Sequence, residues 1–171
     1  MAHSHRHENR NDLVGEHPFG DAGQLIFAVS FSIVWILDSF VLHWTTMLNQ
    51  YVPGWLQIAL GCALLLLSGY MAISSIRIVF GEQRDPPCVI KVGLFAHVRH
   101  PMYVSEVLLY VGLFLLSLSL AALAVGIGAI FFLRTICRHE ERLLLERYGD
   151  EYRDYMRDVP MWLPRLRRRG T

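Results

Sequence analysis

Charge and cysteine are both scarce in this sequence. Only 18% of its 171 residues are charged and 53% are hydrophobic, whereas about a quarter of an average soluble chain is charged. The three cysteines, Cys62, Cys88 and Cys137, lie far apart and form no CxxC pair. They therefore offer no disulfide framework and no zinc site, and such usage is typical of a reducing compartment. The length leaves room for one domain.

The hydrophobic residues are concentrated in long runs that predict membrane-spanning helices. We expect spans at about 24–43, 55–80, 103–117 and 119–137, each near the length needed to cross a hydrocarbon core of roughly 30 Å. A single helix over the last apolar stretch would run about 45 Å, so a turn at Ser117–Ser119 is favoured. One long tilted helix remains the alternative.

The two ends of the chain differ from these runs. Residues 1–23 are a polar tail that does not fit a cleavable signal peptide, so we expect the first apolar segment to be retained. Residues 138–158 are charged, with apolar side chains at helical spacing, and predict cytoplasmic helices that lie at the interface. Gly149 is expected to end one helix and Asp150 to cap the next. The fold class is therefore an all-α integral membrane protein of about four transmembrane helices, the last two a hairpin, plus a C-terminal interfacial helix. Residues 24–171 form its single domain.

The basic residues indicate the orientation. The loop at 44–54 and the turn near 118 contain no Lys or Arg, whereas the tail, residues 81–102 and the C-terminus carry nearly all sixteen. The positive-inside rule then places both termini in the cytoplasm. The membrane would be the inner or plasma membrane of a bacterium, or the endoplasmic reticulum of a eukaryote.

The densest polar cluster leads directly into the third span. Pro101 suits the first turn of a helix, which gathers Arg99, His100 and Tyr103 at that helix's N-terminus. A helix N-terminus and a fixed cation favour an anionic group such as a carboxylate or phosphate. The equally weighted alternative is that Arg99 and His100 only anchor the helix to lipid headgroups.

A second polar cluster follows the fourth span and comprises Arg134, Arg138, His139, Glu140 and Glu141. Adjacent carboxylates beside a bilayer are unfavourable unless they are paired with cations, are solvated or have a function. From the residues alone, a solvated helix end with a pair such as Arg138–Glu141 is the better interpretation.

Two acids lie within the predicted spans, where a charge is costly and is by default a candidate for function. For Glu106, a role beside the first polar cluster and a packing role are equally favoured, whereas for Asp38 we expect a structural pairing. The tail histidines His3, His5 and His7 have no acidic or cysteine partner that fixes a metal geometry, so no metal site is predicted. The terminal arginines, Arg165, Arg167, Arg168 and Arg169, favour anionic headgroups over nucleic acid.

An ordered set of motifs resembles the isoprenylcysteine carboxyl methyltransferase family. It comprises Gly93-x-Phe95-x-x-x-Arg99-His100-Pro101-x-Tyr103, an apolar hairpin, Glu140-Glu141-x-x-Leu144, Tyr148-Gly149-x-x-Tyr152-x-x-Tyr155 and Val159-Pro160. It covers residues 80–165, about half of the chain. The wider group includes phospholipid N-methyltransferases and, more remotely, the C-terminal part of sterol reductases.

The resemblance implies a cytoplasmic pocket for S-adenosylmethionine and a lipophilic or lipidated substrate that arrives from the bilayer. Carried over by position, the cofactor contacts are Cys88, Val89, Ile90, Phe95, His100, Pro101, Met102, Tyr103 and Glu140. Arg99 is added to these predicted contacts because it is a fixed cation at the N-terminus of the third span.

Three positions depart from the family pattern. Ile136 stands where the eukaryotic enzymes have a substrate-facing Arg, so either Arg134 or Arg138 is expected to replace it, or the substrate differs. Ser105 replaces a common glycine, and Glu106 has no counterpart. For an amine or thiol acceptor, Glu106 or Glu141 is the candidate base.

The predicted activity is therefore methyl transfer from S-adenosylmethionine to a lipophilic substrate at the cytoplasmic membrane face, with carboxyl O-methylation of an isoprenylcysteine-like group or related lipid favoured. The alternatives are a phospholipid or amine N-methyltransferase, an NADPH-dependent enzyme of the sterol-reductase type, and a non-enzymatic membrane binding protein. Membrane lipids are the other expected partners, and the sequence leaves the oligomeric state open.

Overall fold

The computed structural model describes residues 20–81 and 88–164, and every regular element in these ranges is helical. The α-helices are α1 (Gly20–Ile36), α2 (Gly54–Gly81), α3 (Pro101–Ser117), α4 (Leu120–Tyr148) and α5 (Asp150–Asp158). A π-helical turn over Leu37–Leu42 extends α1, and short 3₁₀ segments cover Met47–Gln50 and Gly93–Ala96. The predicted all-α class is confirmed.

The apolar helices support a membrane protein. Gly20–Leu42, Gly54–Gly81 and Leu120–Tyr148 are long and apolar enough to cross a bilayer. Helix α3 is apolar but has only 17 residues, which gives about 26 Å at 1.5 Å per residue. The predicted cytoplasmic orientation of the termini stays a prediction. The histidine tail and the terminal arginines lie outside the described residues.

The turn between α3 and α4 lies where the sequence places it. Leu118 adopts a left-handed conformation with φ of 46°, which ends α3. The Ser119 hydroxyl then accepts a hydrogen bond of 3.1 Å from the amide of Ala122 and caps α4. The hairpin is therefore confirmed, and the alternative of one long helix over this stretch is wrong.

The C-terminal helices differ from the prediction in their boundaries. No break separates a span ending at residue 137 from a helix beginning at 138, because α4 continues to Tyr148. Gly149, with φ of 53°, ends α4 as expected, since glycine tolerates this conformation. Asp150 is the first residue of α5 rather than its cap, and the capping position is Gly149 itself.

The helices pack in two pairs. Helix α2 lies along α3, helix α1 along α4, and α3 contacts α4 between the pairs. The α2–α3 pair is close at Gly61 and Gly112: a Cβ on Gly61 would lie 2.5 Å from Leu116 Cδ2 and 3.1 Å from the carbonyl oxygen of Gly112. Small residues that allow backbones to approach are a usual device of membrane helix packing.

A buried carboxylate closes the bundle at one end, here called the far end. Asp38 is 4% exposed and accepts hydrogen bonds from the Thr45 amide (3.0 Å), the Thr45 hydroxyl and the Ser119 hydroxyl (2.6 Å). Asp38 thus joins the α1–α2 loop to the hairpin turn. The structural pairing expected for Asp38 is present, with hydroxyl partners. The opposite end, where α1 and α3 begin and α2 and α4 finish, is here called the site end.

Candidate functional site

A cavity of about 560 Å³ occupies the site end. Its walls come from the first turns of α1 and α3, the last turns of α2 and α4, the segment 88–99 and the inner face of α5. Segments that are distant in sequence therefore share one cavity, of a size common for small-molecule sites.

His100 lies at the floor of the cavity. It is the residue before α3, and Pro101 follows at the first helical position, as the sequence predicts. Its side chain is 6% exposed and lies between two carboxylates: Nε2 is 3.2 Å from Glu141 Oε1 and Nδ1 is 3.6 Å from Glu140 Oε2. The Tyr103 hydroxyl donates a hydrogen bond to Glu140. The Glu140 carboxylate is thus held at the cavity wall by groups from the start of α3.

Arg99 binds protein groups on three sides. Its Nη1 donates to the carbonyl oxygens of Met156 (2.8 Å) and Val159 (3.0 Å), and its Nε is 2.8 Å from Glu141 Oε1. The backbone amide of Arg99 also donates to the carbonyl oxygen of Pro160 at 2.9 Å. Arg99 therefore fastens the end of α5 to the start of α3 and neutralises a buried carboxylate.

Helix α5 supplies one wall of the cavity through Tyr152 and Tyr155, which are 3% and 6% exposed. The Tyr155 hydroxyl donates to the carbonyl oxygen of Phe95 at 2.6 Å, and Lys91 pairs with Glu151 at 3.0 Å. Burial raises the pKa of both phenols, so they stay neutral and keep their hydroxyl hydrogens at physiological pH.

The ten residues predicted to bind the cofactor all line this cavity: Cys88, Val89, Ile90, Phe95, Arg99, His100, Pro101, Met102, Tyr103 and Glu140. Their common location is observed, and their role in binding stays a prediction.

The four predicted catalytic residues separate into two groups. Glu106 lines the cavity, and Glu141 lies beneath it, 5% exposed and paired with Arg99. Arg134 and Arg138 are exposed and do not line the cavity. The reason is helical phase: they lie one turn apart on the exposed face of α4 that also carries Arg142, whereas Glu140 and the residues one and two turns later face inward. The expectation that one of these arginines replaces the family's substrate-facing Arg therefore finds no support in the structure.

The membrane-facing part of the cavity includes residues that sequence reasoning missed. Helix α1 contributes Asp21 and Gln24, and α2 contributes Ser68, Ala72 and Ile76. Of these three α2 residues, only Ser68 stands out in the sequence, because it is a polar residue in an apolar run. Its hydroxyl, however, donates to the carbonyl oxygen of Ser105 at 2.7 Å. Among the described residues, no cluster of three or more His, Cys, Asp or Glu side chains could hold a metal ion.

The fold and the cavity define a helical membrane protein with a cavity at one end. Comparison with known proteins shows which family of membrane proteins the chain belongs to. The family described as phospholipid methyltransferase matches residues 49–151, and the chain belongs to that family. The match includes the α2, α3 and α4 walls of the cavity and the start of α5.

Two curated relatives carry the same name. Methanethiol S-methyltransferase of Mycobacterium tuberculosis is 33% identical over 122 residues, which are 66% of this chain and 49% of that protein. Methanethiol S-methyltransferase of Crocosphaera subtropica is 26% identical over 143 residues, 83% of this chain and 48% of that protein. The chain thus spans about half the length of the curated relatives it matches. No solved structure matches it significantly.

Proposed function

We propose that this protein is a membrane methyltransferase that uses S-adenosylmethionine and acts on a lipophilic acceptor from the bilayer. The observation that carries the proposal is the convergence of residues 88–103 and Glu140, about forty residues apart in sequence, on one cavity between apolar helices. Family membership supports the same activity, as do the names of the two relatives.

The residues present fit the proposed cofactor. The cavity offers the Glu140 carboxylate, already hydrogen-bonded by Tyr103, as an acceptor for ribose hydroxyls or an amino group. The phenols of Tyr152 and Tyr155 and the ring of Phe95 surround the same space, and aromatic faces and carboxylates both suit a ligand that carries a sulfonium cation. These residues would hold it.

Bound there, S-adenosylmethionine supplies a methyl group that is already activated on a sulfonium. The protein then has to orient the partners and exclude water, and good orientation alone contributes on the order of 7–11 kcal/mol. The latch formed by Arg99 and the α5 wall serves both needs, because it covers the cavity on its polar side. We further propose that this side faces the cytoplasm, as the distribution of basic residues predicts.

Three acceptors are candidates. The resemblance of the motifs predicts an isoprenylcysteine-like carboxylate or a related lipid, and the names of the relatives add a thiol. A phospholipid amine acceptor fits the name of the family. A reductase of the sterol-reductase type would instead bind NADPH, and a non-enzymatic binding protein would bind neither cofactor.

Equilibrium binding tests the proposal. We expect purified protein in nanodiscs to bind S-adenosylmethionine saturably in isothermal titration calorimetry, and Glu140→Ala and His100→Ala to weaken that binding. Arg142→Ala, an exposed change on the same helix, is the matched control and should bind like the wild type. Undiminished binding in both cavity variants would refute the site, and binding of NADPH in place of S-adenosylmethionine would refute the function.

A further inference from the structure

Glu106 places a carboxylate on the membrane side of the cavity. It lies in α3 one turn after Tyr103, is half-buried, and lines both the main cavity and a smaller crevice between α1 and α3. A carboxylate within an apolar helix is costly and calls for a partner or a function. The cofactor contacts proposed above do not include it.

The structure gives Glu106 one partner. The Tyr110 hydroxyl donates to Glu106 Oε1 at 2.5 Å, which fixes the direction of the carboxylate. The hydroxyl of Ser105 cannot serve as a second donor, because it donates to the carbonyl oxygen of Met102 at 2.6 Å. Within residues 20–81 and 88–164, no cation lies within ion-pair distance of Glu106.

The charges around Glu106 exclude one class of acceptor. The side chains that share the crevice with it include Asp21 and Gln24, and neither is cationic. Arg99, the one arginine that lines the described cavity, is held by Glu141 and two carbonyl oxygens. Among the described residues, a carboxylate acceptor would therefore meet an acidic wall with no free cationic side chain to orient it, and a like charge is an effective means of rejecting a ligand.

We propose that Glu106 faces the methyl acceptor and takes the proton that the acceptor loses, so that the site methylates a protic thiol or amine and rejects a carboxylate. This inference rests on the function proposed above. As the S–H or N–H bond breaks, its proton passes to Glu106. The acceptor atom forms the new bond to the methyl carbon, and the electron pair of the old carbon–sulfur bond stays on the donor sulfur.

The charge balance favours this arrangement. A cationic sulfonium and an anionic carboxylate are replaced by a neutral thioether and a neutral carboxyl group, and the loss of both charges is favourable in a half-buried site. Tyr110 keeps the carboxylate in position. The exposed Asp21 also lines the crevice, so the proton can leave to water there. Glu106 is thus assigned as a catalytic residue that also sets specificity.

Ligand binding without a methyl donor gives the first test. Dodecylamine, dodecanethiol and dodecanoate are titrated into the wild-type protein in nanodiscs, and binding is followed by competition with a fluorescent alkyl probe. We expect dodecanoate to bind at least about tenfold more weakly than the other two. In Glu106→Gln, the three ligands should bind within about threefold of one another. Preference of the wild type for dodecanoate, or discrimination that survives in Glu106→Gln, would overturn the proposal.

Methyl transfer gives the second test, with an aliphatic thiol and an aromatic thiol that is already ionised at the assay pH. For the aliphatic thiol we expect Glu106→Gln to lower kcat/KM by about 100-fold or more, the usual contribution of a general base. For the ionised thiol the loss should be less than about tenfold. Equal losses for both thiols would show a structural role and refute the inference. Mass spectrometry of products from dodecanethiol and dodecylamine distinguishes the two acceptor classes.

Two controls separate this inference from the function on which it rests. Glu146→Gln removes an exposed carboxylate of α4 outside the cavity and should behave like the wild type. Binding of S-adenosylmethionine to Glu106→Gln should be unchanged, which also shows that the variant is folded. Failure of the wild type to bind S-adenosylmethionine would refute the proposed function, whereas the alkyl-ligand titration would still decide whether Glu106 selects against carboxylates.

Discussion

Replacement of Arg99 by alanine should open the cavity without unfolding the bundle. Its guanidinium connects the end of α5 to the start of α3 through the carbonyl oxygens of Met156 and Val159, and it also pairs with Glu141 of α4. The side chains of Arg99 and Glu141 are 9% and 7% exposed, so water does little to screen the pair. Helix α5 carries Tyr152 and Tyr155, and its release removes one wall of the cavity.

The magnitude follows from this burial. The buried guanidinium donates two hydrogen bonds to carbonyl oxygens at the end of α5. Hydrogen bonds from a charged group contribute about 1.5–3 kcal/mol each, so their loss removes about 3–6 kcal/mol from the docked state. At about 1.4 kcal/mol per factor of ten, even the lower value increases the population of the undocked helix by about 100-fold. Arg99→Lys keeps the charge but loses the planar array of donors, so we expect an effect between those of the wild type and Arg99→Ala.

Hydrogen–deuterium exchange measures the predicted opening. In nanodiscs, amides of residues 150–162 in Arg99→Ala should exchange about 100-fold faster, while those of α2 and α3 beyond their first turns remain protected. The matched control is Arg153→Ala on the same helix, because the Arg153–Asp150 pair is largely exposed and exposed pairs contribute little. Loss of S-adenosylmethionine binding with unchanged exchange over 150–162 would refute the latch and assign Arg99 to the ligand itself.

Two further predictions concern the floor of the cavity and the helix packing. Tyr103→Phe should weaken S-adenosylmethionine binding about tenfold in calorimetry, because it removes the hydrogen bond that positions the charged Glu140. Unchanged affinity would contradict the assigned role. Gly61→Ala should lower the free energy of unfolding by about 1–3 kcal/mol in a denaturation assay. Gly69 has open space around its Cβ position, so Gly69→Ala should leave this free energy unchanged. Equal effects of the two substitutions would refute the close approach of α2 and α3.

The hairpin was predictable from sequence, and the course of α4 only in part. The apolar stretch after Tyr103 exceeds one membrane thickness, and Ser117–Ser119 interrupts it near its middle, so the turn followed from length and polarity. The continuation of α4 past residue 137 was not predicted, because a change from apolar to charged residues marks where a helix leaves the membrane and not where its hydrogen bonding ends. Glycine at position 149 gave the true end.

The candidate site was predictable where a motif is local. His100, Pro101 and Tyr103 lie together because they share one helix start, and Glu140 was found through the ordered resemblance. The Arg99–Glu141 pair was not predicted. The two residues are 42 positions apart, and only tertiary packing brings Arg99 Nε to within 2.8 Å of Glu141 Oε1. Because the sequence does not show this pairing, Arg99 was predicted to contact the cofactor and Glu141 to be a candidate base.

The other omissions concern residues whose chemistry gives no signal. Ala72 and Ile76 line the cavity only because α2 packs beside α3, and both residue types are common in any membrane span.

Arg134 and Arg138 were expected at the site because they flank Ile136, but a shift of two positions along a helix turns a side chain by about 200°. That rotation places both arginines on the exposed face.

The most direct test of the account is a structure of the protein in nanodiscs bound to S-adenosylhomocysteine, the product left after methyl transfer. We expect density for this ligand in the site-end cavity, in contact with Glu140 and against the α5 wall, with the donor sulfur on the side of Glu106. Density at another place, or an empty cavity at a ligand concentration that saturates binding, would contradict the central claim.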